Sequence, residues 1–556
     1  MPIRLPFEQL LVPVRQSGAR VTAAVLARHS SAVLLLGVKP SDADWNALPY
    51  GALLKALFAE KVRKVGDHFH VRLGAQAQTV LVVAGVDPAR GTFERLQAAA
   101  KWSRLALEGE PRSLLIWQQG CDAGAAHAGA AHAGAADAEQ LALIAALQAG
   151  AFRFASFKSE RKPARRLTVI EIARVKGRAG AGAGAPGKSA KAPTPGRPLA
   201  DLDATLASAG GNNLARWLTA LPPNTLDARG FRRLAQEFAR HLGLGFKFYG
   251  ETQLRRLGAG AFLAVCSGNA TRDAGIAYLS YRPRRAAAAR AAAARAASAR
   301  TAPARGGTPA HVSLVGKGIC FDTGGTNLKP HKSMLDMHTD MEGSAVALGS
   351  LYALHYLRSP LELDCWLAIT ENRTGPAAYK PQDVVRALNG TTIQVIHTDA
   401  EGRMVLADAL SLAATKKPGA IIDYATLTGA CVYALTERYS GAFTNRPATR
   451  AAIEAAGSSS GERVWCFPMD ADFDTDIDSS IADVMQCAVE GRGDHILAAR
   501  FLNRFVPADI PWLHLDLAAG TRPGGLAHIT TDITGFGVRL TLELLRGGWP
   551  KQSAAA

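Results

Sequence analysis

Short apolar runs alternate with longer segments of helical period along most of this chain, and that alternation is what most narrows its choice of fold. Four runs mark the first part: Ala32–Val38, Thr79–Ala84, Ser113–Gln118 and Leu167–Ile172, with a helical stretch at Gly91–Leu107. The second part offers Ala261–Cys266, Ile276–Tyr281, His311–Gly316, Leu363–Ile369, Ala420–Tyr424 and Trp512–Asp516 as strands, with helical periods at Gly343–Leu357 and Gly402–Ala414. Strands separated by helices must run largely parallel, with the helices covering the sheet. The expected class is α/β in two domains, a smaller N-terminal α/β domain and a larger C-terminal α/β/α domain around a central mixed sheet. A length of 556 residues suits that division, with ample core for each.

Low-complexity tracts give the boundaries. A Gly/Ala/Pro/Lys-rich stretch over 176–200 reads as a flexible linker between an N-terminal domain at 1–175 and a larger C-terminal domain at 201–550. An Arg/Ala tract over 284–310 lies between two strand-like runs and reads as a surface insertion; it has no apolar stripe to pin it to a core. A third tract repeats small residues around His127 and His132, with nothing nearby to complete a metal coordination set. The formal charge of +17 is not general: residues 151–200 carry +10 and residues 281–310 carry +7, which is the whole excess. Basic segments raise a nucleic-acid or scaffold role, but the arginine tract lacks interleaved aromatics for base stacking, so solvated inserts are the expected reading. No apolar run is long enough to span a membrane. The opening residues lack the pattern of an export signal, and the seven cysteines contain no CxxC pair. A reducing, cytoplasmic setting is expected.

Chemistry gathers in two places. The run ending at Val315 delivers Gly316-Lys317-Gly318 and then Phe321-Asp322-Thr323-Gly324-Gly325, followed by Lys329 and Asp340. The glycines invite comparison with a phosphate loop, but the helix-opening context of such loops is missing. The charged groups are expected around tight turns. About sixty residues on, VIHTDAEGRMVLADAL holds Asp399, Glu401 and Arg403 at two-residue spacing, so an extended backbone would put all three on one face. Alone, this segment could equally be an acidic turn capping the helix that follows. Taken together, Lys317, Asp322, Asp340, Asp399 and Glu401 each adjoin an apolar run, as site residues do at strand ends of α/β sheets. Four converging carboxylates need cations to remain ionised. They are too many for one catalytic ion that must keep open positions, so a two-metal centre fits better. Oxygen ligands suit Mg²⁺ or Mn²⁺, and a deprotonated lysine would move the preference toward Zn²⁺.

These residues resemble those of the leucyl aminopeptidase (cytosol aminopeptidase) family. The likeness runs through GKGICFDTGG, the LKP that follows, DM at 340–341 and TDAEGRM, and extends to LPPNTL (221–226), DYATLTGACV (423–432), ERVWCFP (462–468), ILAARFLNRFV (496–506) and PWLHLDLAAG (511–520). It covers most of 205–545. The resemblance implies a two-metal aminopeptidase that releases N-terminal residues, preferably leucine and other large apolar ones, from peptides. It implies one divalent ion (Mn or Zn) on Asp322, Asp399 and Glu401, and a second on Lys317, Asp322, Asp340 and Glu401. Lys329 and Arg403 become the catalytic groups that are not ligands. Lys329 is suited to an oxyanion, and the planar fork of Arg403 to a small anion, bicarbonate in the family. Met337, Thr426, Leu427 and Gly429 map onto the substrate pocket, and a homo-hexamer is implied. Three positions depart from the family pattern: His397 stands where Asn is usual in a substrate-holding position, and His338 and Glu342 flank Asp340. None removes a ligand, but His397 brings an ionisable group to the site.

Overall fold

The computed structural model describes residues 3–550, apart from 19, 38, 63–66, 74–78, 87–89, 120–129, 160–165, 174–198 and 284–310. The 176–200 linker, save its last residues, the Arg/Ala insertion and the small-residue tract through His127 therefore lie outside the described residues. The chain divides into two compact units, one of residues 8–206 with 527–530, the other of 1–7, 207–526 and 531–556.

The smaller unit is built on β1 (Val14–Ser17), β2 (Ser31–Gly37), β3 (His68–Leu73), β4 (Thr79–Val86), β5 (Ser113–Gln119) and β6 (Val169–Ala173), in the order β1-β6-β5-β2-β4-β3. All pairings are parallel except β3 with β4 at the edge. β2 and β4 read as nearly unbroken apolar runs because both faces of the sheet are covered. Val33 and Leu35 point into a core with Trp102, Leu143 and Leu147, whereas Ala32, Leu34 and Leu36 point the other way, toward Trp45, Leu54 and Phe58. Period-two alternation thus feeds two helical layers from one strand.

The larger unit carries an eight-stranded sheet: β7 (Gly245–Gly250), β8 (Gly275–Tyr281), β9 (His311–Asp322), β10 (Glu362–Asn372), β13 (Ala420–Ala425), β14 (Ser440–Thr444), β15 (Val464–Cys466) and β17 (Trp512–Asp516). Its order is β15-β14-β17-β13-β9-β10-β8-β7. The centre, β17-β13-β9-β10, is parallel, and antiparallel strands close both sides. A small sheet of β11 (Val384–Arg386), β12 (Thr392–Gln394) and β16 (Val484–Met485) stands apart from it. The Glu342–Tyr356 and Glu401–Ala414 helices both pack on β9 and are buried almost all round, as their lack of a polar face requires.

Two expectations are corrected. Ala261–Cys266 is not a strand: Gly260–Val265 is helical and runs into a 3-10 turn at Cys266–Gly268. Six apolar residues carry no usable period, and the residue that resolves the ambiguity is Asp408, whose carboxylate accepts the Phe262 amide from another helix at 2.8 Å. Likewise, β9 does not end at Gly316 but continues to Asp322, so Lys317 and Asp322 are strand residues rather than turn residues. The glycines that make this stretch look like a loop are needed for packing; a side chain at Gly316 would meet the Ser344 Cα at 2.4 Å.

Candidate active site

The parallel strands end unevenly. Tyr424 of β13 pairs with Gly316 of β9, so β9 runs on alone past the end of β13 and is accompanied only by β10, as far as the Asp322–Asn372 pair. That step exposes the Lys317 side chain to the carbonyl of Thr426, to which its Nζ donates at 2.8 Å. Asp322 is placed at the strand end, where its Oδ1 accepts from Gly324 N and Asn372 Nδ2, both at 2.8 Å. Gly324 must follow: its φ is +86°, and a Cβ there would lie 2.4 Å from the Asn327 carbonyl. Asp340 lies one residue before the N-cap-to-helix step at Met341–Glu342, and Glu401 opens the Glu401–Ala414 helix. Both carboxylates therefore sit at helix N-termini, where the backbone dipole favours negative charge.

One oxygen from each of Asp322, Asp340 and Glu401 lies within 4.8 Å of the others, and all three residues are buried. Lys317 Nζ bridges Asp340 Oδ1 and Glu401 Oε1, each at 2.8 Å. Lys329 Nζ bridges Asp322 Oδ2 at 2.9 Å and Asp399 Oδ1 at 2.6 Å. The sequence places four carboxylates together; the structure gathers three, and Asp399 joins them through Lys329. Asp399 lies in a turn and Glu401 already in the helix, so the segment is not extended backbone. Arg403 consequently leaves the acidic face and pairs instead with Asp494 Oδ2 at 2.7 Å.

The electrostatics are strained in one direction. Burial, then the neighbouring Glu401, hold the Asp322 carboxyl above its ordinary range, despite two lysines. Burial pushes Asp340 well above it, with Glu401 and Asp322 adding to the effect against Lys317. Burial alone would lower Lys317, but Asp340, Glu401 and Asp322 outweigh it and hold the ammonium above the usual lysine range. Four carboxylates against two lysines leave two formal negative charges, and Asp340 Oδ2 is buried with no hydrogen-bond partner among the described residues. A donor set of this kind, oxygen-rich and under-neutralised, fits divalent cations.

The remaining expected residues fall around this centre. Thr426 Oγ1 donates to Asp340 Oδ1 at 2.8 Å, and Leu427 packs on the core. Gly429 opens the Gly429–Leu435 helix with open space where a Cβ would stand. Met337 and His338 are half-buried in a 3-10 turn leading to Asp340. His397 is exposed, and its Nδ1 accepts the Asp399 amide at 3.2 Å. Glu342 is fully buried, which pushes its carboxyl up to about 8. Four contributors are not singled out in the sequence: Asn372, Asp494, Gln486 and Asp516, the last within the PWLHLDLAAG stretch. Asp516 orients the Leu427–Thr428 segment, accepting Thr428 Oγ1 at 2.6 Å and the Leu427 amide at 3.2 Å. Asn372, Asp494 and Asp516 come from distant strands or helices and Gln486 from the bend after β16, so each is far in sequence from the two charged clusters.

A buried carboxylate and lysine centre at the C-terminal ends of parallel strands lies where α/β sheets carry their ligand sites, and its oxygen donors suit a divalent cation. Comparison with known proteins is more specific. The family model "Cytosol aminopeptidase family, catalytic domain" matches residues 213–542. A probable cytosol aminopeptidase of Chlorobium luteolum is 37% identical over 334 residues, 60% of this chain and 61% of the relative. One of Roseiflexus castenholzii is 37% identical over 399 residues, 71% of this chain and 74% of the relative. Among solved structures, the bottromycin maturation enzyme BotP in complex with Mn superposes with a TM-score of 0.72 at 29% identity, covering 92% of this chain and 98% of that one. A tomato leucine aminopeptidase mutant gives a TM-score of 0.75 over 96% of each chain, and at 24% identity it shows the shared fold. The chain belongs to the cytosol aminopeptidase family, and the first relative is matched over just under two thirds of its own length.

Proposed function

We propose that the chain is a two-metal aminopeptidase that removes N-terminal residues, with leucine and other large apolar residues preferred. The observation that carries this reading is the buried trio Asp322, Asp340 and Glu401, threaded by Lys317. One divalent ion would be held by Asp322, Asp399 and Glu401, and the other by Lys317, Asp322, Asp340 and Glu401. Mn²⁺ or Zn²⁺ bound there would supply Lewis acidity and a water acidic enough to be a nucleophile near neutral pH. The manganese in the BotP structure supports that choice.

The chain's own residues do the rest. Lys329, 14% exposed, stays protonated beside Asp322 and Asp399 and presents a positive charge to a carbonyl oxygen as it becomes an oxyanion. Burial opposes that charge, but Asp322, Glu401 and Asp399 hold it above the ordinary lysine range. Thr426, Leu427, Gly429, Met337 and His397 would line the place for the leading residue of the peptide, with Asp516 fixing the Leu427–Thr428 backbone. A requirement for the free α-amine near the carboxylates makes the cleavage exopeptidic. In the family a bicarbonate sits at the arginine corresponding to Arg403; here that fork already holds Asp494. A cytoplasmic homo-hexamer is part of the proposal. The relatives' description as cytosol aminopeptidases supports the setting, as do the free thiols of the six described cysteines.

The test compares leucyl p-nitroanilide with its N-acetyl derivative, with Mn²⁺ or Zn²⁺ and after chelation. Hydrolysis of the free-amine substrate alone, lost with the metal, is the expected result. Equal hydrolysis of the acetylated compound would exclude the reading.

A further inference from the structure

Arg403 is 2% exposed, and its guanidinium is engaged from within the chain. Nη2 donates to Asp494 Oδ2 at 2.7 Å, and Nη1 donates to the Gln486 carbonyl at 3.2 Å. Two more buried atoms of the pair, Arg403 Nε and Asp494 Oδ1, have no hydrogen-bond partner among the described residues. The carboxylate is delivered by a specific piece of backbone. Asp494 is the first residue of the Asp494–Asn503 helix, and Gly491 and Gly493 before it take φ of +65° and +63°. That turn swings the side chain onto the arginine, two residues beyond Glu401.

We propose that Asp494 occupies the anion position on the Arg403 fork from within the chain, as a positioning residue that frees the site from dependence on an external small anion. This rests on the aminopeptidase reading above. A guanidinium fork matches one planar carboxylate, and a charge-assisted bond of this kind is about twice as strong as a neutral one. An anion tethered on the same chain acts at a far higher effective concentration than a dissolved one. A second anion would also have to approach Asp494 and Glu401 against like charge. Bicarbonate or formate should therefore find the fork closed in the native chain and open once Asp494 loses its side chain.

The experiment titrates formate and bicarbonate calorimetrically into the metal-loaded chain, its Asp494→Gly variant and its Asp494→Glu variant, alongside kcat/KM for leucyl p-nitroanilide. The native chain and Asp494→Glu should show no saturable anion binding and no activation by either anion. Asp494→Gly should gain one anion site and lose about 100-fold in kcat/KM, the size of loss expected of a misplaced group. It should recover with formate or bicarbonate but not with bulky pivalate, a size dependence that general loss of structure does not produce. Saturable bicarbonate binding by the native chain, or a folded Asp494→Gly that binds no anion, overturns the proposal. Asp494→Ser is read in the same way should the glycine variant not fold. If no variant hydrolyses any aminoacyl substrate, the aminopeptidase reading fails, while the calorimetry still decides the anion position.

Discussion

At the residue scale, the centre depends on side chains passing one another at contact distance. Gly402 shows this most directly: a Cβ there would stand 2.7 Å from both Cε and Nζ of Lys317. Gly402→Ala should fold, because only one flexible side chain has to move, yet lose about 100-fold in kcat/KM as Lys317 is pushed off Asp340 and Glu401. Steady-state kinetics beside a circular dichroism spectrum checks both halves. His397 acts one step out, its Nδ1 accepting the amide of Asp399. His397→Ala should weaken activation by Mn²⁺ by roughly tenfold, as loss of an outer partner does at metal sites. His397→Asn, which restores an acceptor, should recover most of it. Metal titrations of activity that coincide for all three proteins would contradict this role. The candidate residues were legible in combination only: a DAEGR segment alone could be an acidic helix cap, and the glycines after Asp322 alone a loop, but several charged groups adjoining apolar runs point to one site. The partners were not. Asn372 and Asp494 look like any other polar residue in sequence, and only register and a distant turn bring them to Asp322 and Arg403.

At the element scale, apolar runs were readable where strands are buried on both faces and misleading where they are short. Trp512–Asp516 is a strand over its full expected length, whereas the equally apolar segment from Ala261 is a helix whose identity depends on Asp408. β7, Gly-Phe-Lys-Phe-Tyr-Gly, is an edge strand that is only partly buried, so it lacks the continuous apolar run that marks strands covered on both faces. The strands that flank the Arg/Ala insertion are tied together. Arg282, at the end of β8, donates to Asp364 Oδ1 at 2.7 Å, and His311, at the start of β9, meets Asp364 Oδ2 at 2.8 Å. Both strands neighbour β10 at the same level, since Tyr281 pairs with Leu363 and His311 with Glu362. Their ends are therefore only about 10 Å apart, two strand spacings. Replacing 286–308 by a short Gly/Ser connection should leave leucyl p-nitroanilide hydrolysis intact; a large loss would mean that the insertion serves the site. Asp364 also gives a pH signature. Burial alone would raise its carboxyl, but hydrogen bonds from His311 and Arg282 and the charge of Arg282 outweigh burial and hold it below the ordinary range. A depressed carboxyl contributes stability that is complete above the unfolded pKa of about 4 and is lost as pH falls through the lower folded value. Asp364→Asn should cost about 2–3 kcal/mol at neutral pH, with the difference closing below pH 4 in urea-unfolding series. A constant difference down to pH 2 would contradict it.

At the scale of the whole molecule, a smaller three-layer unit and a larger unit with a mixed eight-stranded sheet each form their own core. The two-domain α/β class was legible because alternation of strands and helices leaves few other arrangements. The chain's strong positive charge says little about the site, since it resides in residues 151–200 and 281–310, outside the motifs that hold the candidate residues, while the centre itself is acidic. The account therefore rests on local negative charge within a basic chain. Metal content measured together with activity tests it most directly. The native chain loaded with Mn²⁺ or Zn²⁺ should retain two ions after dialysis and hydrolyse leucyl p-nitroanilide, and Glu401→Ala should retain at most one and lose that activity. A native chain that holds no divalent ion, or a Glu401→Ala variant with full activity, would contradict the account.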